Sequence, residues 1–325
     1  MPANLTPEFL KARERFRAAQ SPEETLEALE EMLTTIPKHK GTDKMQADIK
    51  RRIAKLRNAQ QSKKKRGKGS AWDHIEREGA GQVALVGLPN SGKSSLLAAL
   101  TNARPEIGDY PYSTVFPVPG MMAFEDVAIQ LIDLPPVSAE YTEGWVYGLV
   151  RQSDLALLIL DGSDQNGLSD AREEVLHLLE EHHIQLVSQT TETKDLQTRS
   201  ILYRAVLTKA DLVAHNIAVK EWTSDVPMIS TSAKTGTGLD RLRRSVFEAL
   251  GIVRVYTKLP GKPPDLEEPY TLPAGSTVLD AVQTVHREFA EKLKYVRIWG
   301  SGKFDGQQVT SEHVLEDKDI IEIHV

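Results

Sequence analysis

The sequence predicts an α/β fold with a mostly parallel sheet, preceded by a helical hairpin and followed by a small β-rich domain. Three observations carry this reading. From Ala80 onward, short apolar runs alternate with helical patterns, as in successive βαβ units. The first of those runs, Val83-Ala84-Leu85-Val86, passes through a glycine-bearing loop into a helix over Ser94–Leu100. Before Ala80 the apolar residues recur at helical spacing instead, on either side of a break at Pro37 to Gly41.

The N-terminal part opens with two helix starts, Thr6-Pro7-Glu8 and Ser21-Pro22-Glu23-Glu24, each with a hydroxyl N-cap, proline in the first turn and acids near the positive end. Ser21 and Glu24 also have capping-box spacing. Leu26, Leu29 and Leu33 mark one apolar face, and Met45, Ile49, Ile53 and Leu56 mark another beyond the break, so the two pair as a hairpin. The net charge of −6 conceals a basic stretch, since Lys50–Lys68 holds ten basic residues and no acidic one. A solvated linker accounts for such a run. That is the commoner reason for an isolated run; contact with a phosphate backbone is the sharper reading, and would make binding salt-dependent. Little aromatic residue is interleaved, so recognition by shape and charge is implied rather than base reading.

Composition narrows the classes. A chain of 325 residues has room for two or three domains. The absence of cysteine excludes disulfides, thiolate metal sites and cysteine nucleophiles. No apolar run approaches the ~18 residues of a membrane span, and Met1-Pro2-Ala3-Asn4 lacks the order of a signal peptide. A soluble, cytoplasmic protein with no membrane partner is expected. The expected organisation is a helical region over 1–61, a basic linker over 62–79, a nucleotide-binding domain over 80–251 and a C-terminal domain over 252–325.

The loop after the first strand is a phosphate loop. Gly87-Leu88-Pro89-Asn90-Ser91-Gly92-Lys93-Ser94 fills the pattern G-x-x-x-x-G-K-[ST] in the strand-then-helix context it requires, and Ser95 continues the helix. Glycines let backbone N–H groups close on phosphate oxygens, the helix N-terminus adds positive potential, Lys93 reaches the outer phosphates, and Ser94 is placed to ligate magnesium.

Further strands are expected over Val127–Ile132, Leu155–Leu160, Tyr203–Leu207 and Met228–Thr231, and in such a sheet the working residues follow the strands' C-terminal ends. Asp133-Leu134-Pro135 follows one, putting a carboxylate where it can hold magnesium through water. Thr208-Lys209-Ala210-Asp211 and Ser232-Ala233-Lys234 follow two others. The Asp211 carboxylate can accept from guanine N1–H and its 2-amino group, the Lys209 stem can cover the base, and the Ala233 N–H can meet the guanine carbonyl. Against adenine that last donor is unpaired, a penalty of ~1–3 kcal/mol. Singly these short motifs are weak and read equally as surface lysines; their order behind a phosphate loop gives them force. The set favours GTP over ATP, leaving ATP-driven kinase or transporter chemistry a distant third.

With these motifs in that order, the chain resembles translation-factor-class GTPases and, more narrowly, the Obg family, especially the developmentally regulated GTP-binding proteins. The stretch Gly108-Asp109-Tyr110-Pro111-Tyr112-Ser113-Thr114-Val115-Phe116-Pro117-Val118-Pro119-Gly120 is similar to that family's first switch. The resemblance implies a Ras-like P-loop GTPase domain in which Thr114 ligates magnesium alongside Ser94 and Asp133. It implies that Asn90 helps bind potassium, which can stand in for an arginine finger, so that Lys93, Thr114 and Asn90 carry catalysis. From Arg254 to Val325 the sequence resembles a TGS domain, a small β-grasp fold that such proteins associate with RNA or the ribosome. Tyr256, Trp299 and Phe304 are expected to be core aromatics there.

Three departures from the family pattern stand out. Pro136 occupies the glycine of D-x-x-G, removing the N–H that senses a third phosphate. Thr208 stands where asparagine is usual, so one bond bracing the phosphate loop is expected to be lost. The small extra domain after the third strand is expected to shrink to the polar loop Ser188–Arg199. Val137, where Ras-like enzymes orient water with glutamine, implies slow hydrolysis. The resemblance therefore implies a slow, potassium-stimulated GTPase switch binding GTP and GDP with magnesium, with ribosome or structured RNA as partner. A guanine-nucleotide-binding regulatory protein with little or no hydrolysis is the alternative.

Overall fold

The structure, a computed structural model, describes residues 6–19, 22–37, 42–64, 75–103, 116–138, 142–164, 167–189, 197–213, 226 and 228–325. The chain divides into two compact units, one of residues 1–122 with 130–242 and the other of residues 123–129 with 243–325.

In the first unit three helices lead: α1 (Pro7–Ala18), α2 (Pro22–Thr35) and α3 (Asp43–Lys64). The Thr6 hydroxyl caps α1 by accepting from the Phe9 N–H at 3.1 Å, and donates to the Thr35 carbonyl at the end of α2 at 2.9 Å. The Ser21 cap lies outside the described residues. Phe9, Ala12 and Phe16 of α1 join Leu29 and Met32 of α2 and Ile49, Ile53 and Leu56 of α3 in one buried cluster. The helix starting at Thr6-Pro7 thus completes the core of the two that the apolar faces paired. Phe116, from the segment ahead of the second strand, packs on the same cluster.

The sheet of this unit comprises β1 (Gln82–Val86), β2 (Val118–Phe124), β3 (Val127–Asp133), β4 (Leu155–Asp161), β5 (Ile184–Val187), β6 (Arg199–Thr208) and β7 (Met228–Ser230), with helices α4 (Lys93–Leu100), α5 (Gly144–Gln152), α6 (Leu168–Glu180) and α7 (Leu239–Leu250) between or after them. Strand order is β2-β3-β1-β4-β6-β5, with β7 also on β6. Strand β1 runs parallel to β3 and β4, and β6 runs parallel to β4, β5 and β7. The wholly buried β1 and nearly wholly buried β4 explain their continuous apolar sequences. Two strands escaped the sequence reading. Strand β2 carries Pro119-Gly120, which an edge position tolerates because an edge N–H needs no partner in the sheet. Strand β5 is only four residues long. The expected polar loop contributes Arg199 to β6, and its middle lies outside the described residues.

In the second unit β8 (Ile252–Lys258), β9 (Pro264–Pro273), β10 (Tyr295–Trp299), β11 (Gln307–Val309) and β12 (Asp319–His324) form a sheet ordered β11-β10-β12-β8-β9, with α8 (Val278–Val285) and α9 (Arg287–Lys292) between β9 and β10. Only β8 and β12 are parallel. A capping box, Thr277 with Asp280, starts α8. Arg254, 2% exposed, is gripped by Asp317 at 2.6 Å, Asp126 at 2.6 Å and Glu125 at 2.7 Å while lying over the Phe247 ring. Tyr256 is buried and Trp299 half-buried, but Phe304 is 66% exposed. The expectation of a core aromatic fails at Phe304 because it sits in the glycine-bounded turn between β10 and β11, beyond the reach of either sheet face.

Candidate functional site

At the C-terminal end of β1 the chain turns through a tight loop into α4. A Cβ on Gly87 would collide with the Ile159 carbonyl of β4, so the loop can pass this close to the sheet only with glycine. Asn90 and Gly92 both adopt left-handed backbone, with φ of 61° and 93°. Lys93 is 6% exposed and folds back along the loop, donating to the Gly87 and Leu88 carbonyls at 2.9 and 2.8 Å. Burial pulls its ammonium down to about 8, against the opposing pull of Asp133. The Ser94 hydroxyl donates to Asp133 Oδ2 at 2.6 Å, where Asp133 closes β3 fully buried. Two of the three residues assigned to magnesium from sequence, Ser94 and Asp133, are therefore side by side, and both offer the hard oxygen that such an ion takes, while the third, Thr114, lies outside the described residues.

On the other side of the loop, Thr208 at the end of β6 donates to the Ser91 carbonyl at 2.6 Å, with the Leu160 carbonyl at 3.0 Å. The expected loss of a brace is thus overturned: threonine is short, but β6 brings it close enough for its hydroxyl to do an amide's work. Lys209, with φ of 56°, pairs with Asp161 at 2.6 Å, fixing the lysine stem. Burial would raise the Asp161 carboxyl, but hydrogen bonds from Lys209 and Ser163 hold it below its usual range. The Ser232 hydroxyl donates to Asp211 Oδ1 at 2.6 Å and holds that carboxyl down also, leaving Oδ2 as a further acceptor. The Thr231 N–H donates to the Leu207 carbonyl at 2.7 Å and the Ala210 N–H to the Thr231 carbonyl at 3.0 Å, which locks the loops after β6 and β7 together.

Residues 82–194 match the family model described as 50S ribosome-binding GTPase, and residues 253–325 match that of the TGS domain. A GTP-binding protein of Methanocaldococcus jannaschii is 29% identical over 93% of this chain and 92% of its own. Developmentally-regulated G-protein 2 of Arabidopsis thaliana is 28% identical over 92% and 90%, and developmentally-regulated GTP-binding protein 1 of Xenopus laevis 26% over 91% and 96%. The chain is a homologue of the developmentally regulated GTP-binding proteins. Solved structures align less completely: the G domain of the T. maritima FeoB iron transporter covers 52% of this chain and 97% of its own, at 26% identity and a TM-score of 0.37. That superposition is too loose to lend the site any geometry.

The structure brings together Gly87, Leu88, Pro89, Asn90, Ser91, Gly92, Lys93, Ser94 and Ser95 with Asp133 on one side and Thr208 on the other. Lys209, Asp211, Ser232, Ala233 and Lys234 line the adjoining strand ends. Thr114 and most of the first-switch stretch lie outside the described residues, as does much of the basic run.

Sequence reasoning missed two participants, Asp161 and Glu143, and the backbone role of a third, Val137. Asp161, at a strand's C-terminal end, occupied a position that the topology marks as functional. Val137 bonds the phosphate loop through its backbone, donating to the Gly87 carbonyl at 3.2 Å, which no side-chain pattern reveals. Glu143, a buried acid just ahead of α5, gave no more signal than an ordinary first-turn carboxylate.

Proposed function

We propose that the protein is a guanine-nucleotide-binding GTPase that holds GTP or GDP with magnesium, hydrolyses GTP slowly and acts as a switch on the ribosome or another structured RNA. The observation that carries the reading is the convergence, at the ends of parallel strands, of the Lys93–Ser94–Asp133 cluster and the Ser232-oriented carboxylate of Asp211. The loop amides and Lys93 would hold the phosphates, and Ser94 and Thr114, with Asp133 behind a water, the magnesium ion. Magnesium supplies charge neutralisation when bound. Asp211, Lys209 and Ala233 would select guanine, while Thr208 keeps the phosphate loop in place.

Slow turnover follows from Val137, whose aliphatic side chain cannot orient water. Asn90 is exposed in the loop and offers a carbonyl oxygen for potassium, so turnover is expected to rise in potassium relative to sodium. Ribosome or RNA binding is supported by the matched domain model's description, by the TGS domain and by the basic run Lys50–Lys68. No helix among the described residues is long and apolar enough to cross a membrane, and a cytoplasmic setting suits the reading.

A second reading, regulatory guanine-nucleotide binding with little hydrolysis, is favoured by Pro136 and by the Val137 N–H being donated to Gly87. A panel of GTP, GDP and ATP affinities with magnesium, in potassium and in sodium, tests the first reading; equal affinity for ATP overturns it. Single-turnover phosphate release separates the two, because a rate no faster than that in buffer leaves only the second. Neutralising Lys63, Lys64, Lys65 and Arg66 is expected to reduce ribosome co-sedimentation.

A further inference from the structure

The segment after Asp133 is held at both ends. At its start, Asp133 accepts from Ser94 and the Val137 N–H donates to the Gly87 carbonyl, so residues 133–137 are bonded to the phosphate loop. Thr142 is bonded back to Ser138, its hydroxyl accepting from the Ser138 N–H at 2.7 Å and donating to the Ser138 carbonyl at 2.8 Å. At its end stands Glu143, the N-cap residue of α5. Its carboxylate does not cap its own helix. Instead Oε2 accepts from the Thr25 hydroxyl of α2 at 3.2 Å and from the Trp145 indole N–H. Arg52 of α3, itself 4% exposed, bears electrostatically on the same carboxylate. Thr25, Glu143 and Trp145 are all buried, so a bond among them is not diluted by water.

We propose that Glu143 is a positioning residue through which the N-terminal helices set the conformation of residues 133–138, and so of the phosphate loop they are bonded to. A continuous path of backbone and side-chain hydrogen bonds connects Gly87, Val137, Ser138, Thr142 and, through the adjoining peptide, Glu143 to Thr25. The same helical core receives Phe116 from the chain entering β2. The N-terminal helices therefore touch the chain on both sides of β2 and β3, and a movement of either segment must repack or break a buried contact. A carboxylate suits the position because it accepts two donors at one oxygen while its charge answers Arg52. A glutamine could still present a carbonyl oxygen to both donors, but it loses that charge and buries two further N–H donors. The inference rests on the guanine-nucleotide reading above for its ligand.

The test uses the full chain and its built-in reporter, Trp145. Wild type, Thr25→Val and Glu143→Gln are titrated with GDP and with a non-hydrolysable GTP analogue while tryptophan emission is followed, and Trp145→Phe identifies the share due to that residue. Expected is a wild-type Trp145 change on nucleotide binding that Thr25→Val at least halves, with GDP affinity held within about threefold and phosphate release altered by threefold or more. Glu143→Gln is expected to act in the same direction and more strongly. The proposal is overturned if Thr25→Val and Glu143→Gln lower the melting temperature alone, leaving emission change and turnover as in wild type, because the contact then serves stability only. A wild type that binds guanine nucleotide without any Trp145 response overturns it too. If wild type binds no guanine nucleotide, the functional reading fails first, by a loss of binding that the variants do not share in causing, and this proposal falls with it.

Discussion

The Thr208 hydroxyl donates to the Ser91 carbonyl at 2.6 Å, across 117 positions of sequence. It carries a single proton, so the Leu160 carbonyl at 3.0 Å competes for the same donor and the shorter contact takes it. Thr208→Val keeps the shape and removes the donor beside two buried carbonyls. The expected cost is about 1–3 kcal/mol, a loss of roughly tenfold or more in GDP affinity, whereas Thr208→Ser should stay close to wild type. Equilibrium titration with a fluorescent GDP checks both, and an undiminished affinity in Thr208→Val would mean that the loop holds its shape unaided.

Lys93 gives a pH dependence of definite sign. Its folded value of about 8 lies below that of an unfolded lysine, so between these two values the unfolded chain binds more protons. Stability is therefore penalised in full below about pH 8 and recovers as pH rises through that window. Phosphate beside Lys93 favours the charged form, so nucleotide binding should take up a proton above about pH 8 and weaken by up to about tenfold per pH unit there. Calorimetry in two buffers of different ionisation heat measures the uptake directly; none at pH 9 contradicts the assignment of Lys93 to phosphate.

Asp211 is oriented by Ser232 and held ionised by that bond. Asp211→Asn exchanges an acceptor for a donor, so GDP should bind at least about tenfold more weakly while xanthosine diphosphate, whose 2-oxo group accepts, binds better. Competition between the two diphosphates reads this out. Ser232→Ala should weaken GDP more mildly, as it frees the carboxylate without removing it.

Arg254 bonds three carboxylates, Glu125, Asp126 and Asp317, and Lys318 adds a second cation on Glu125 at 2.9 Å. Burial works against Asp126 and Asp317, but the hydrogen bonds from Arg254 and, for Asp126, Tyr256 hold both carboxyls below their usual range. A depressed acid stabilises above its unfolded value and loses that contribution as pH falls through the folded one, so the second unit should weaken below about pH 4. Arg254→Met leaves the carboxylates facing one another, with an expected loss of about 3–5 kcal/mol in thermal or urea unfolding at neutral pH. Arg254→Met with Asp317→Asn and Asp126→Asn should regain part of it, since the repulsion goes with the charge.

Much of this was legible in the sequence, for reasons that differ by element. The phosphate loop was readable because Gly87 and Gly92 are dictated by local conformation and a close backbone approach, which are properties of the chain itself. The strands β1 and β4 were readable because burial on both faces leaves only apolar residues. Strand β2 was hidden by Pro119-Gly120, which signal a break unless one knows that the strand lies at an edge. The Thr208 brace was misjudged because residue type was compared without the approach of β6 to the loop. The Glu143–Thr25 contact spans 118 positions, and no local pattern could announce it.

Four consecutive residues, Pro135 to Ser138, have no amide to give a ligand. Two are prolines, the Val137 N–H goes to Gly87, and the Ser138 N–H goes to Thr142. On the guanine-nucleotide reading, this stretch has no backbone donor with which to sense a terminal phosphoryl group, so among the described residues any preference for three phosphates over two falls to Lys93 and the loop amides.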